Sequence, residues 1–250
     1  MSGHSHWAKV KRAKASTDAK RGQLWSKLSR RIIVAAKGGG NPDDNLSLRY
    51  AIDEARAANM PNDTIERAIK KGTGELGGMA YETVLYEGFG PGGVAMLVEC
   101  LTNNRSRTAP DLRTIFDRKG GQLGGANSVA WMFQHKGVFV ISAEEVTEDS
   151  LMEVAIDAGA DDVRSQEGVF EVICDVPVFQ AVKEALAAKK MPTLSANITM
   201  MPTNLVPVDG DVARQVLALV DALEENDDVQ NVYANYDIPD SILAEASTVQ

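Results

Sequence analysis

Cysteine and histidine are scarce in this 250-residue chain, and both shortages exclude chemistry. Cys100 and Cys174 are the only cysteines. Each sits in an apolar, strand-like run (VAMLVECL, VFEVICDV) without CxxC spacing, which reads as two buried, reduced thiols. Histidine occurs only as His4, His6 and His135, so there is no metal-ligand cluster and no Ser/His/Asp set that spacing can place. An enzyme is not expected, nor a cofactor, nor a resident metal. Once Met1 is removed, Ser2-Gly3-His4 would offer an amine, two amides and an imidazole suited to Cu(II) or Ni(II), an incidental capacity that chance supplies easily. Long apolar runs are also missing: none approaches the roughly 20 residues that span a bilayer. The basic start lacks the apolar segment and cleavage site of a secretory signal, which leaves cytoplasmic residence as the expectation.

Acids are nearly absent from the first 37 residues. Ten cations (Lys9, Lys11, Arg12, Lys14, Lys20, Arg21, Lys27, Arg30, Arg31 and Lys37) stand there against Asp18 alone, a charge of +9 in a chain of net −9. The remaining 213 residues therefore carry −18. Segregation of this kind does nothing for a fold and bears instead on partners. It points to an N-terminus that meets a polyanion and a body that does not.

Residues 1 to about 15 lack hydrophobic periodicity and read as a basic arm. Trp7 among the cations could stack on an unpaired base or fold back onto the helical region as an anchor. Ser16 or Thr17 is placed to cap a first helix that runs to Lys37 and stops at Gly38-Gly39-Gly40. Its expected core stripe is Leu24, Leu28, Ile32, Ala35 and Ala36, with Lys20, Lys27 and Arg31 forming a cationic ridge alongside. A second helix, capped by Asn45 and ended by Asn59, should bury Leu48, Ile52 and Ala55. A third begins at Pro61 or Asp63, where DTIE has capping-box form, and contributes Ile65, Ala68 and Ile69.

From Tyr81 the period changes to two. TVLYEGFG and VAMLVECLT read as strands around Pro91-Gly92, followed by a helix through Leu112, Ile115 and Phe116 and a strand VAWMF. A complete βαββαβ unit comes next: GVFVI, a helix over 147–158, DDVRS, VFEVICDV, a helix over 177–189, and LSANITMM. A helix over 212–223 and the strand VQNVYANYDI are then left over, one helix and one strand that the first α/β unit lacks. The fold class expected is α+β in three domains, a three-helix bundle and two ferredoxin-like α/β domains with the third inserted into the second. The divisions fall at 1–80, at 81–134 plus 207–240, and at 135–206.

GFGPGG and GTGELGG both match G-x-G-x-x-G, but no helix follows either one to hold a pyrophosphate, so they read as turn and linker. In LTNNRSRTAPDLR, Asn103 and Asn104 precede a helix that carries Arg105 and Arg107, flanked by Arg113, Arg118 and Lys119. Helix N–H groups and guanidinium forks could converge there on a second phosphate. Pairing of these arginines with the acidic body is the alternative. The acids of EEVTEDSLMEVAIDAGADD and LEENDDV read mainly as solvated helix ends and turns, which would also repel nucleic acid from the body or meet a protein.

The segments GHSHWAKVKRAKASTDAKRGQLWSKLSRRI, AAKGGGNPDDN, NMPNDTIERAIKKG, YEGFGPGG, LTNNRSRTAPDLR and GGQLG occur in an order that resembles the YebC/PmpR family over nearly the whole chain. The resemblance implies a helical bundle followed by two α/β domains. It also implies a role, since the family is mostly named as probable DNA-binding transcriptional regulators. Its mitochondrial members, among them the translational activator of cytochrome c oxidase, and some bacterial ones are regarded as translation factors acting on the ribosome. His6 departs from the GHSKW more usual in the family and removes one fixed charge from the arm. Together these readings point to a non-enzymatic regulator of gene expression whose partner is nucleic acid, either DNA or RNA on the ribosome. The expected contacts are Trp7, Lys9, Lys11, Arg12, Lys14, Lys20, Arg21, Lys27, Arg30, Arg31, Lys37, Arg105 and Arg107. The acidic α/β domains are left as a surface for ribosomal or other proteins, with no membrane and no small-molecule substrate.

Overall fold

The computed structural model describes residues 18–77, 81–166, 168–239 and 242. Three helices come first: α1 (Asp18–Ala36), α2 (Leu46–Ala57) and α3 (Asn62–Gly72). Their core is Leu28, Ile32, Ile33 and Ala36 from α1, Leu48, Ile52 and Ala55 from α2, and Ile65 and Ala68 from α3, with Met60 between the last two helices. Leu24, expected in the stripe, is 44% exposed. Trp25 takes the place one residue on, packing against the cluster while its indole N–H donates to the Ala58 carbonyl at the end of α2 (3.0 Å). An indole buries more apolar area than an isobutyl group and finds a partner for its one polar atom, so the helix turns to favour it.

Asn45 fastens the turn between α1 and α2. Its side-chain oxygen accepts from the Leu48 N–H, and its amide donates to the carbonyls of Ala35 and Gly39 (2.7 and 2.8 Å). One residue thereby satisfies orphan groups at a helix C-terminus and the next N-terminus. The start of α3 differs from the capping-box expectation. Pro61 is the N-cap and makes no side-chain bond, while Asp63 stands in the first turn, where a carboxylate suits the positive end of the helix.

Strands β1 (Glu82–Phe89) and β2 (Ala95–Thr102) form an antiparallel hairpin in the register Glu82↔Thr102 to Phe89↔Ala95. The turn is a short 3-10 segment, Pro91–Gly93, with Gly93 at φ +75°. Gly88 lies inside β1, and a Cβ there would come within 2.7 Å of the Gln122 carbonyl oxygen and 2.8 Å of the Phe116 ring. The glycine pattern that mimics a dinucleotide fingerprint is thus explained by turn geometry and by close approach of a neighbouring strand. Helix α4 (Arg105–Arg118) buries Leu112 and Phe116 and leads to β3 (Gln122–Leu123), which pairs with β1. The strand expected at VAWMF is instead a 3-10 turn at Ala130–Met132, and Phe133 opens the next strand. The buried Glu87 carboxylate accepts the N–H groups of Asn127 (2.6 Å) and Val129 (2.7 Å), a tie that holds the chain in a bend just before VAWMF.

The next elements are β4 (Phe133–Ser142), α5 (Glu148–Asp157), β5 (Asp162–Gln166), β6 (Val169–Asp175), α6 (Phe179–Ala188) and β7 (Thr193–Pro202). Their sheet order is β5-β6-β4-β7 with every pair antiparallel, the split-βαβ, ferredoxin-like arrangement. Phe139, Ile141, Phe170 and Val172 from the sheet pack on Leu151, Ala155, Val182 and Leu186 from the helices. The Phe139 and Phe179 rings stack at 4.7 Å. Cys174 belongs to this core and Cys100 to β2; both are buried free thiols, and burial pushes Cys100 up to about 12.

After β7, the short strand β8 (Val206–Pro207) precedes α7 (Gly210–Glu224), β9 (Val229–Ala234) and β10 (Tyr236–Asp237). β9 returns to the first sheet, giving the order β3-β1-β2-β9, and β10 pairs with β8. Two compact units result. One gathers the described residues through Val129 with Arg214–Ala234; the other gathers Ala130–Ala213 with the described residues from Asn235 onward. No helix among the described residues is long and apolar enough to cross a membrane.

Two glycine substitutions should move stability in opposite directions. A methyl at Gly72 would lie 2.5 Å from the Ile33 carbonyl oxygen and 2.6 Å from the Ala36 Cβ, so Gly72→Ala forces α1 and α3 apart and costs about 1–3 kcal/mol. Gly22→Ala, helical and with no atom within 4 Å of the added methyl, gains about 0.5–1 kcal/mol. Urea unfolding of the two variants beside the parent protein checks both signs.

Candidate nucleic-acid interface

The irregular pairing of β2 with β9 positions the central group of this region. The register Met96↔Ala234 slips between Glu99 and Cys100, so that Cys100 faces Val229, and the Leu101 N–H donates to the Asp228 carbonyl (2.8 Å). Asp228 is thereby laid over the end of β2 and the start of α4, where it is 4% exposed. A buried carboxylate persists only when it is paired. Arg107 donates to both of its oxygens (2.7 and 3.0 Å), and the hydroxyls of Thr108 and Thr102 stand 2.7 and 3.3 Å from Oδ2. The Arg30 guanidinium approaches from α1 at 3.5 Å. Burial pushes the Asp228 pKa up, but the Arg107 and Thr108 hydrogen bonds with the Arg107 and Arg30 charges outweigh it and hold the group below the usual aspartate value.

Several of the cations singled out in the sequence meet the same corner. Gln23 and Lys27 of α1 donate to the carbonyls of Glu225 (2.9 Å) and Glu224 (2.6 Å) at the end of α7, where free carbonyls and the helix dipole favour positive charge. Burial lowers the Lys27 pKa, aided by Arg31 and Arg30 and opposed by Glu224 and Asp227. Arg30, with a side chain 14% exposed, also reaches Asp227 (3.9 Å) and lies 5.9 Å over the Tyr81 ring. Arg31 donates from Nη1 to both Glu54 oxygens (2.8 and 2.7 Å) and from Nη2 to Asn231 Oδ1 (3.3 Å). Lys37 donates to the Tyr81 carbonyl.

The pair at the start of α4 is held in the same way. Asn104 caps the helix by accepting from the Arg107 N–H (3.2 Å), Arg105 forks onto Glu82, and Arg107 reaches both Asp228 oxygens from Nη2. Of the two readings open for these arginines, pairing with the acidic body is the one this geometry fits. Lys20 and Arg21 fall near the beginning of α1. Trp7, Lys9, Lys11, Arg12 and Lys14 lie outside the described residues, as do His4 and the expected Ser16 or Thr17 cap.

The sequence did not mark Asp228, Thr102, Thr108, Glu54 or Asn231 as parts of one network. LEENDDV read as a solvated acidic turn, yet its Asp227 and Asp228 act as counter-ions for α1 and α4. The only local signal was the abrupt step from Asp228 to the apolar strand that follows it.

The family description TACO1/YebC protein N-terminal domain matches residues 5–75, and TACO1/YebC second and third domain matches residues 81–236. The chain belongs to the TACO1/YebC family. A family member from Dictyoglomus turgidum, named a probable transcriptional regulatory protein, is 53% identical over 249 residues, covering 99% of this chain and 100% of that one. One from Syntrophobacter fumaroxidans with the same name is 54% identical over 245 residues, covering 97% and 98%. A crystal structure of a conserved hypothetical protein from Aquifex aeolicus, 47% identical and covering 94% of this chain and 98% of that one, matches with a TM-score of 0.82. The names of the Dictyoglomus and Syntrophobacter relatives describe probable transcriptional regulators.

The Asp228 pairing fixes a pH dependence. Its folded pKa lies below the unfolded value near 4, so its stabilisation is fully present above about pH 5 and is lost as pH falls below 4 through the folded pKa. Asp228→Asn should therefore lower stability at pH 7 by about 2–3 kcal/mol, less than the 3–5 kcal/mol of a fully buried pair because Arg107 is half exposed. The acid limb of a stability-against-pH curve should flatten in the same variant. An unchanged limb would show that Asp228 is not the group titrating.

Proposed function

We propose that this protein is a non-enzymatic regulator of gene expression that binds nucleic acid arm-first and works in the cytoplasm. The observation that carries the reading is the charge segregation: +9 in the first 37 residues of a chain of net −9. Within the fold, Arg30, Arg31, Arg105 and Arg107 have carboxylate partners, which supports a reading in which Lys9, Lys11, Arg12, Lys14, Lys20 and Arg21 take most of the phosphate contacts. Trp7 adds a stacking face for an unpaired base. Lys27, Arg30, Arg31, Lys37, Arg105 and Arg107 then serve the fold, Lys27, Arg30 and Arg31 by tying α1 to α7, Asp228 and α2. The relatives' names support DNA as the polymer.

One observation favours RNA as a second reading. Between residues 22 and 36, α1 exposes only Gly22 and Leu24, so the helix at the root of the arm is enclosed rather than offered to a major groove. Arm-led contact with phosphates and unstacked bases suits structured RNA, as on a ribosome.

Replacing Lys9, Lys11, Arg12 and Lys14 with glutamine should make the slope of log affinity against log salt shallower by about three to four on duplex DNA. Arg105→Ala should leave the slope close to that of the parent. Fluorescence anisotropy across a salt series measures both, and an unaltered slope in the fourfold variant would sink the arm-first reading. Salt-labile co-sedimentation with ribosomes, set against footprints on promoter DNA, separates the two polymers.

A further inference from the structure

The outer face of α3 carries cations that the fold does not use. Arg67, Lys70 and Lys71 are all exposed, and among the described residues none of them has a carboxylate within 4 Å. Their spacing of i, i+3 and i+4 stacks them on one face over about 6 Å of helix. Lys70 and Lys71 sit in the last turn, where the helix dipole welcomes them. Arg67 lies a turn earlier, and its i, i+4 relation to Lys71 is repulsive, a small cost that the fold does not explain.

Two further features give this face a place relative to the arm. Gly72 lets the end of α3 lie directly on the Ile33 carbonyl and Ala36, so the three cations stand in a fixed register to α1, the helix that continues from the arm. Next to them is an open depression of about 450 Å³, lined by Gly40 and Pro42 on one wall and by Ile69, Lys70 and Thr73 on the other. The wall on the glycine side belongs to the loop that Asn45 pins through the Gly39 carbonyl, and Gly39, at φ +132°, has nothing within 4 Å of where a Cβ would stand. A phosphate backbone could approach such a loop closely. Glu66 and Glu75 also line this depression, so the cationic contact is the Arg67/Lys70/Lys71 face beside it rather than the depression itself.

We propose that the Arg67/Lys70/Lys71 face of α3, together with the Gly38–Gly40 loop, is a second phosphodiester contact that continues the path of the strand gripped by the arm. The proposal rests on the nucleic-acid reading above and adds three specific charges to it. The ligand chemistry is a chain of phosphodiesters, which DNA and RNA share.

The test uses the full chain with two labelled probes, a 20-base-pair DNA duplex and an RNA hairpin of the same length. Arg67→Gln/Lys70→Gln/Lys71→Gln should lower affinity and make the salt slope shallower by about two to three. A charge-matched control, Lys183→Gln/Lys189→Gln/Lys190→Gln, should leave both unchanged. The probe that loses more identifies the polymer that lies on α3. In the parent protein, Lys70 and Lys71 should be protected from amine acylation when the probe is bound, a readout independent of variant folding. Parent-like affinity and slope in the α3 variant, or no protection of the two lysines, would overturn the proposal even where the arm variant loses binding. If the parent protein shows no salt-dependent binding to either probe, the nucleic-acid reading itself falls.

Discussion

The structure of the first unit turns on one buried carboxylate. Asp228 receives Arg107 from α4 and Arg30 from α1, and its backbone is bonded to the end of β2. A lone aspartate at that depth would be strongly disfavoured, and so would two arginines brought together without it. Each of the three therefore makes the position of the other two tolerable. Because α2 and α3 lie between α1 and α4 in the chain and Asp228 comes more than a hundred residues after α4 begins, the triad knits together three distant stretches of chain. Desolvation offsets much of the attraction in such a cluster, so its net contribution to stability is smaller than the cost of removing any one member.

Around this point the acidic tail of α7 and the basic root of α1 divide the work by type of partner. Lys27 and Gln23 take helix-end carbonyls, which water would otherwise satisfy, whereas Arg31 bridges both Glu54 oxygens from one nitrogen and Arg30 stands between Asp227 and Asp228 as an ion pair. The pattern follows the chemistry of the groups. An ammonium is a compact point charge suited to a cluster of carbonyls, and a guanidinium is a planar fork suited to a carboxylate. Of the charge that looked like one continuous basic stretch in sequence, Lys27, Arg30 and Arg31 are committed to the fold.

That commitment shows which features periodicity can reveal. The buried faces of α2 and α3 were legible because each helix has a single apolar stripe: Leu48, Ile52 and Ala55 were named from spacing alone and are all buried. The βαββαβ order was legible for the same reason, its strands and helices alternating between periods of 2 and 3.6. The exchange of Leu24 for Trp25 was not, since both lie within a few tens of degrees of the stripe and tertiary packing decides between them. Nor was the bend at VAWMF, whose alternation imitates a strand; the Glu87 carboxylate that holds the preceding turn lies 40 residues upstream. Pairing of Arg105 and Arg107 with the acidic body stood as one reading, but no partner of Arg30, Arg31, Arg105 or Arg107 could be named, because an ion pair between residues 20 to 200 apart leaves no local pattern.

The same reasoning explains why a cation count is a poor guide to where a polyanion lands. A guanidinium already forked onto a carboxylate can bind a phosphate only by giving up that bond, so its net contribution is the difference between two similar interactions. An exposed cation without a partner exchanges only water and loose counter-ions, and release of those ions is the main source of nonspecific affinity for nucleic acids. Ten basic residues in the first 37 are therefore not ten equivalent contacts. The paired ones on α1 instead hold that helix against α2, α7 and Asp228, and under the proposed reading such rigidity would lower the entropic cost of a second contact farther along the bundle.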